Sequence, residues 1–469
     1  MHVTVYEVNM NQAVISEEIL GRFDVAGPRY TSYPTADKFG EQFERDHYVR
    51  ALNQCRGGSI GSPLSIYAHI PFCASLCYYC ACNKIVTKHR ERARQYLDYL
   101  KLELDLVAEV LGAGRMVSQL HLGGGTPTFL RDDELAEFMA HVQRYFVLLP
   151  NGEYSVEVDP RTVNAKRLKA LREMGINRLS FGVQDFDPEV QLAVHRVQSE
   201  DKVFALVECA RDLGFESINI DLIYGLPKQT PETFRRTLTR VQALRPDRIA
   251  VYGYAHLPQR FKPQRRIALQ DMPAAADKLQ MLTIALSMLG DVGYEYIGMD
   301  HFALPQDALA VAKRQGRLHR NFQGYSTQPD SDLVALGVSA IGRIGGSYSQ
   351  NHKTLDAYYA ALDQRHLPVE RGLSLSRDDM IRRAAISAIM CAGELLFDAF
   401  GQAWLIDARV YFAPEFKRLE QLKLDGLVTL DHDGLRVTAV GWYLVRIVAM
   451  VFDRYLDSGS GRERFSRVV

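Results

Sequence analysis

Between residue 63 and roughly residue 252, short runs rich in β-branched and aromatic residues alternate with longer stretches whose apolar residues recur at helical spacing. The runs fall at 64–70, 119–122, 154–158, 178–183, 218–224 and 248–252, and the intervening amphipathic stretches include 94–111, 132–145 and 200–213. Six strand–helix units in succession predict an α/β fold, with a mainly parallel sheet curled into a partial (β/α)6-type barrel. In such folds chemistry gathers at the carboxyl ends of the strands. The first sixty residues include Gly27-Pro28-Arg29-Tyr30-Thr31-Ser32-Tyr33-Pro34, too polar and proline-punctuated for a core strand. They read as an N-terminal arm over the main domain. Beyond about residue 370 the pattern changes. Helices at 377–390 and 413–424 precede strand-like runs 427–430 and 435–437, which flank Asp431-His432-Asp433-Gly434, a hairpin signal. The expected organisation is an arm over 1–60, a catalytic barrel with its extension over 61–370, and a mainly helical, winged-helix-like domain over 371–469.

Composition removes several function classes. The chain has 469 residues, and 56 Lys and Arg balance 56 Asp and Glu, so no bulk charge favours nucleic acid or anionic lipid. The longest late apolar run, 444–452, is interrupted by Arg446, and nothing reaches the ~18 apolar residues of a membrane span. The opening Met1-His2-Val3-Thr4 carries no export pattern, so a cytoplasmic protein is expected, and separately a monomer.

Of seven cysteines, Cys73, Cys77, Cys80 and Cys82 fall within ten residues, directly after the first strand-like run. Spacings of four and three let three thiolates of one short loop converge on a soft metal centre. A closed zinc site prefers four ligands in paired knuckles, and no second knuckle follows. A [4Fe-4S] cluster on three cysteines leaves one iron open to a further ligand. Packing or a simple redox pair remains the plainer alternative for four thiols. Gly123-Gly124-Gly125-Thr126 after the second strand could let a cofactor approach the backbone, or be an ordinary tight turn. Glu157, Gln184 and Asp221, in or at the ends of later strands, could orient a polar ligand or merely satisfy the barrel mouth.

The loop Cys73-x3-Cys77-x2-Cys80, with Tyr79 before the third cysteine, resembles that of radical S-adenosylmethionine enzymes. The added Cys82 in Cys-Ala-Cys-Asn-Lys is similar to the oxygen-independent coproporphyrinogen III oxidases. That likeness runs nearly end to end, through residues 28–35, 69–82, 121–128, 157–161, 182–186, 219–231, 254–258, 298–302, 319–325 and 465–469. It implies that Cys73, Cys77 and Cys80 ligate a [4Fe-4S] cluster, that Cys82 does not, and that S-adenosylmethionine chelates the fourth iron. It further implies that Tyr67, Tyr79, Gly124, Glu157 and Ile341 contact one S-adenosylmethionine. Gly125, Thr126, Gln184, Arg196, Asp221 and Ala255 would contact a second. The implied reaction turns two propionates of coproporphyrinogen III into vinyls, giving protoporphyrinogen IX in haem biosynthesis, with an unidentified low-potential electron donor. Carboxylates call for cations, and Arg29, Lys84, Arg161 and Arg320 lie in or beside the resembling segments, with Tyr30, Tyr33 and Tyr325 as ring and hydroxyl contacts. Of these, Arg29, Tyr30 and Arg320 are the substrate candidates. A related group with the same cluster loop acts as haem chaperones, but typically lacks Cys82 and the 28–34 segment. A radical enzyme for another tetrapyrrole is the third reading.

Overall fold

The structure, a computed structural model, describes residues 17–57, 63–328, 331–456 and 465–468. The opening Met1 to Thr4 and the final Val469 lie outside the described residues. Twelve strands form one sheet, numbered here in chain order: β1 Leu64–Ile70, β2 Arg115–Gly124, β3 Phe146–Val158, β4 Arg178–Gln184, β5 Ser217–Tyr224, β6 Arg248–Gly253, β7 Glu295–Gly298, β8 His301–Ala303, β9 Leu333–Leu336, β10 Ile341–Ile344, β11 Ser347–Asn351 and β12 Val369–Ser374. Their order is β12-β11-β10-β9-β1-β2-β3-β4-β5-β6-β8-β7. From β9 through β6 neighbouring strands run parallel. The outer strands on both sides are antiparallel. The six expected strands form the continuous middle of the parallel part. The crossovers are α1 Glu91–Leu111, α2 Asp132–Tyr145, α3 Ala165–Glu173, α4 Glu200–Asp212 and α5 Pro231–Leu244. Each buries an apolar stripe on the sheet, as with Leu97, Leu100, Leu104 and Leu111 of α1.

The inward positions give the barrel its function. In register, Ser65, Tyr67 and His69 of β1 face Gln119, His121 and Gly123 of β2. Gln119 and His121 in turn face Glu153 and Ser155 of β3, and Arg178, Ser180 and Gly182 of β4 face Ser217, Asn219 and Asp221 of β5. Side chains of a strand alternate between faces, so alternate residues share one face. Here that face is polar at nearly every step, whereas closed barrels of this kind are plugged by Val, Ile and Leu. A cavity of about 700 Å³ takes the place of a plug, lined from all six strands β1 to β6 and from Ile341.

The N-terminal arm does more than cover the barrel. Leu20, Tyr30 and Tyr33 are buried in the apolar core of the C-terminal region. The helix Arg45–Gly57 instead joins the core of the main sheet through Tyr48 and Leu52. The arm's polarity, which suggested a surface strap, is matched internally: the Tyr30 hydroxyl donates to Asp453 at 3.0 Å. Arg446, which interrupts the late apolar run, is buried and donates to the carbonyls of Pro28 at 3.1 Å and Arg467 at 3.1 Å, and also to that of Gly27. It fastens the arm to the chain's last described residues.

The sheet runs to Ser374, a few residues past the boundary expected at 370. The following helices include Arg377–Ala392 and Ala413–Leu424, and the hairpin pairs Val428–Leu430 with Gly434–Val437. Glu394–Leu396 adds a third strand beside Gly434–Val437. Among the described residues no helix is long and apolar enough to cross a membrane.

Candidate active site

The cysteine loop leaves the carboxyl end of β1 and is tied down by its backbone and by its neighbours. Phe72–Cys73 pairs with Ile85–Val86, closing the loop on itself. The Gly125 and Thr126 amides donate to the carbonyls of Ile70 and Phe72 at 2.8 and 2.9 Å. A Cβ on Gly125 would meet the Pro71 carbonyl oxygen at 2.6 Å, so only glycine allows this approach of β2's end to the loop. Gly124 adopts φ +113°, and a Cβ there would strike the His69 ring.

Polar donors converge on the thiols. Cys77 Sγ receives Arg196 Nη1 at 3.4 Å and Arg161 Nη2 at 3.6 Å, and Cys73 Sγ receives Thr126 Oγ1 at 3.5 Å. Lys84 Nζ donates to the Cys80 carbonyl at 3.0 Å. Cys80 is pulled down to about 6, chiefly by a hydrogen bond from the Cys82 thiol, with burial opposing and the Lys84 ammonium assisting. Cys82 is pushed well up, first by that shared hydrogen bond. Burial pushes Cys73 up to about 11. A metal-bound thiolate therefore has cationic and hydroxyl donors waiting around it.

The sulfurs of Cys73, Cys77 and Cys80 do not all lie within 4.8 Å of one another. Ligands of one tetrahedral zinc, each ~2.3 Å from the metal, would sit ~3.8 Å apart. At least one pair of these sulfurs is therefore farther apart than that edge, a spacing that the corners of a polynuclear iron–sulfur cluster accommodate.

The remaining candidates fall into groups. Tyr67, Gly124, Glu157, Asp221 and Ile341 line the large cavity together. Glu157 Oε2 accepts the Gly124 amide at 3.0 Å, and Tyr67 stacks on His121 with ring centroids 5.9 Å apart. Asp221 accepts from Ser180 Oγ and Asn219 Nδ2, both at 2.8 Å, and burial raises its carboxyl to about 6. Gln184, at φ +70°, lies over Gly182 at the end of β4. Arg196 is buried, donates to the Gly182 carbonyl at 2.5 Å and to Asp159 at 3.3 Å, and keeps a buried Nε without a partner. Burial opposes its charge, but Tyr79, Asp159 and Cys77 together hold its pKa above the ordinary value. An orphaned guanidinium donor beside the cysteine loop fits an anionic or zwitterionic ligand. Gln264 Nε2 bridges the carbonyls of Tyr79 and Ala255 at 3.0 and 3.2 Å, bringing those two residues together.

The substrate candidates separate. Arg29 pairs with Asp300 at 2.5 Å and lies over the ring of Tyr252, a cavity residue. Arg320 stacks over Tyr325, also a cavity residue, and donates to the Arg29 carbonyl at 3.3 Å. Tyr30 turns away, towards Asp453, and Tyr33 is buried. Lys84 and Arg161 are turned onto the cysteine loop. Sequence reasoning passed over Ser155, Ser180, Asn219, Arg178 and Arg248, all cavity-lining. Their signal was present as polar residues at every second position of otherwise apolar strands.

With this geometry in view, the known relatives agree on a class. A family model described as Radical SAM superfamily matches residues 67–241, and one described as HemN C-terminal domain matches residues 375–444. An oxygen-independent coproporphyrinogen III oxidase of Pseudomonas aeruginosa is 50% identical over 454 residues, covering 96% of this chain and 98% of that protein. Its counterpart in Escherichia coli is 48% identical over 451 residues, with the same coverage. A solved structure titled as coproporphyrinogen III oxidase (HemN) from Escherichia coli, a Radical SAM enzyme, superimposes with a TM-score of 0.88 at 49% identity, covering 91% of this chain and 97% of that one. The chain is thus of the radical S-adenosylmethionine class, which implies a [4Fe-4S] cluster and S-adenosylmethionine. Within that class it belongs to the oxygen-independent coproporphyrinogen III oxidase family.

Proposed function

We propose that the chain converts coproporphyrinogen III to protoporphyrinogen IX by oxidative decarboxylation of two propionates, without oxygen. Cys73, Cys77 and Cys80 would hold a [4Fe-4S] cluster, and two S-adenosylmethionine molecules would lie at the mouth of the cavity. When bound, these groups supply the one-electron chemistry that takes a hydrogen atom from a propionate β-carbon. The observation that carries the reading is the three-cysteine loop at the end of a polar-lined barrel, with Arg196 and Arg161 already donating to Cys77 and Thr126 to Cys73.

The chain's own residues bind and orient. The Gly124 and Gly125 backbones leave room for a ligand beside the loop, and Glu157 and Asp221 offer carboxylates for ribose hydroxyls or an ammonium group. Arg196, with Nε to spare, suits a methionine carboxylate. Tyr67 and Ile341 would border the first S-adenosylmethionine with Tyr79. Thr126, Gln184 and Ala255 would border the second. Arg29 and Arg320 are assigned to substrate propionates. Tyr30, whose hydroxyl is committed to Asp453, would fix the position of Arg29 next to it in the chain.

The test is anaerobic reconstitution with iron and sulfide, followed by reductant, S-adenosylmethionine and coproporphyrinogen III. Formation of 5′-deoxyadenosine with protoporphyrinogen IX is expected, as is equilibrium binding of two S-adenosylmethionine per chain. Tight haem uptake with no decarboxylation would reject the reading in favour of a chaperone. Arg29→Ala is expected to raise the KM for coproporphyrinogen with iron content unchanged. An unaltered KM would remove Arg29 from the substrate site.

A further inference from the structure

The turn Lys262–Arg266 carries three exposed cations, Lys262, Arg265 and Arg266. Among the described residues none of the three is paired with a carboxylate. Arg265 Nε donates to the Pro258 carbonyl at 2.9 Å, and Arg266 lies over the Tyr78 ring at 5.4 Å. Asp271, five residues beyond the turn, is engaged with Lys228 at 2.9 Å. In a chain with no net charge, this is a local positive excess.

The excess is fixed over the cysteine loop. Gln264, buried in the middle of the turn, donates to the Tyr79 carbonyl at 3.0 Å and accepts the Leu257 amide at 2.6 Å. Tyr78, the residue after Cys77, stacks on the exposed His195 ring with centroids 5.1 Å apart. The residue after His195 is Arg196, which reaches Cys77 Sγ at 3.4 Å. The two stacked rings thus belong to residues next in the chain to Cys77 and to its donor Arg196. Large exposed apolar side chains lie close by in the chain: Leu192 (67% exposed) and Val197 (58%) either side of His195, and Leu269 (72%) three residues after Arg266.

We propose that this surface docks a small acidic one-electron carrier protein. The carrier would lose one electron and the cluster on Cys73, Cys77 and Cys80 would gain it. The inference rests on the function proposed above, since only a redox centre behind Cys77 makes electron entry necessary. Cations that steer an acidic partner, with exposed apolar residues for brief contact, are the makeup of a small transient interface. Three cations on a rigid turn are too few to track a nucleic-acid backbone, which favours a compact acidic protein.

The test uses reconstituted holoenzyme and an acidic flavodoxin reduced to its hydroquinone. Binding is followed by flavin fluorescence at low and high salt, and cluster reduction by stopped-flow absorbance. In the triple variant Lys262→Glu, Arg265→Glu, Arg266→Glu, the Kd is expected to weaken at least about tenfold, reduction by flavodoxin to slow about as much, and the salt dependence to flatten. Iron content and dithionite-driven 5′-deoxyadenosine formation are expected to match the parent within about twofold. Should the triple variant fold poorly, Lys262→Glu alone is expected to weaken binding about threefold. An unchanged Kd and reduction rate in a folded variant would overturn the proposal. So would tighter binding of a short DNA duplex than of flavodoxin. Loss of dithionite-driven turnover in the parent protein would instead reject the proposed function, leaving the Kd comparison to judge the surface.

Discussion

The cavity at the strand ends and the joint between arm and C-terminal domain bury the same kinds of side chain, yet use them differently. In the joint, Arg446 meets four backbone carbonyls and Tyr30 meets Asp453, so the polar atoms are matched within the chain. Burial without a carboxylate partner lowers Arg446 to about 10, and the Arg29 charge adds to that. Beside the cysteine loop, Arg196 keeps its charge through Tyr79, Asp159 and Cys77 but leaves Nε unmatched, and in the cavity Asp221 is held at about 6 by burial. The joint spends its polar groups on holding segments together. The cavity keeps some in reserve for a ligand, at a cost to the empty protein's stability.

Substitutions in the two places should therefore separate stability from chemistry. The largest effect is expected for Arg196→Met, which keeps length and loses the guanidinium. Turnover should fall about a hundredfold through weaker S-adenosylmethionine binding, read by equilibrium dialysis, while the melting temperature stays within a few degrees. A large fall in melting temperature with affinity intact would put Arg196 in the joint's category. Arg446→Ala is expected to cost about 3 kcal/mol in denaturant unfolding, because the carbonyls of Pro28, Gly27 and Arg467 lose their donor. Whatever remains folded should still assemble the cluster.

Asp221→Asn sharpens the contrast through pH. Its folded pKa of about 6 lies above the ordinary 3.8, so the group's contribution is fully present below about pH 3.8 and is lost as pH rises through about 6. The cluster-free variant should consequently melt above the parent at pH 7 to 8, by at most about 3 kcal/mol, with the gap closing towards pH 4. Its S-adenosylmethionine affinity should drop. A melting difference independent of pH would contradict the assignment of burial as the cause. The smallest effect is expected for Tyr30→Phe, about 1 kcal/mol from the lost hydrogen bond to Asp453, with iron content unchanged.

The sequence reads most clearly where one signal dominates. Helices 132–145 and 413–424 match the structure residue for residue, because each carries a single apolar stripe and a clear end. The six middle strands were visible because β-branched runs recur between helices. The outer strands were not. Ser347–Asn351 is Ser-Tyr-Ser-Gln-Asn, polar by composition and yet buried at every position. It is legible only once partners such as Glu103, which accepts from Asn351, are known. The arm was read by its polarity as a surface strap for the same reason: Arg446 and Asp453, its partners, lie more than four hundred residues away. Within the site, the cysteine spacing and the glycine run located the loop and its neighbour. The guanidinium of Arg196 on Cys77 is a tertiary contact across 119 positions, which no local pattern announces.

The account stands on three thiolates holding a cluster with one iron left for S-adenosylmethionine. Metal and sulfide analysis of anaerobically reconstituted protein, joined to electron paramagnetic resonance of the reduced form with and without S-adenosylmethionine, tests this directly. About four iron and four sulfide per chain, with a spectrum that changes on adding S-adenosylmethionine, are predicted. One zinc per chain, or a cluster whose spectrum ignores S-adenosylmethionine, would contradict it.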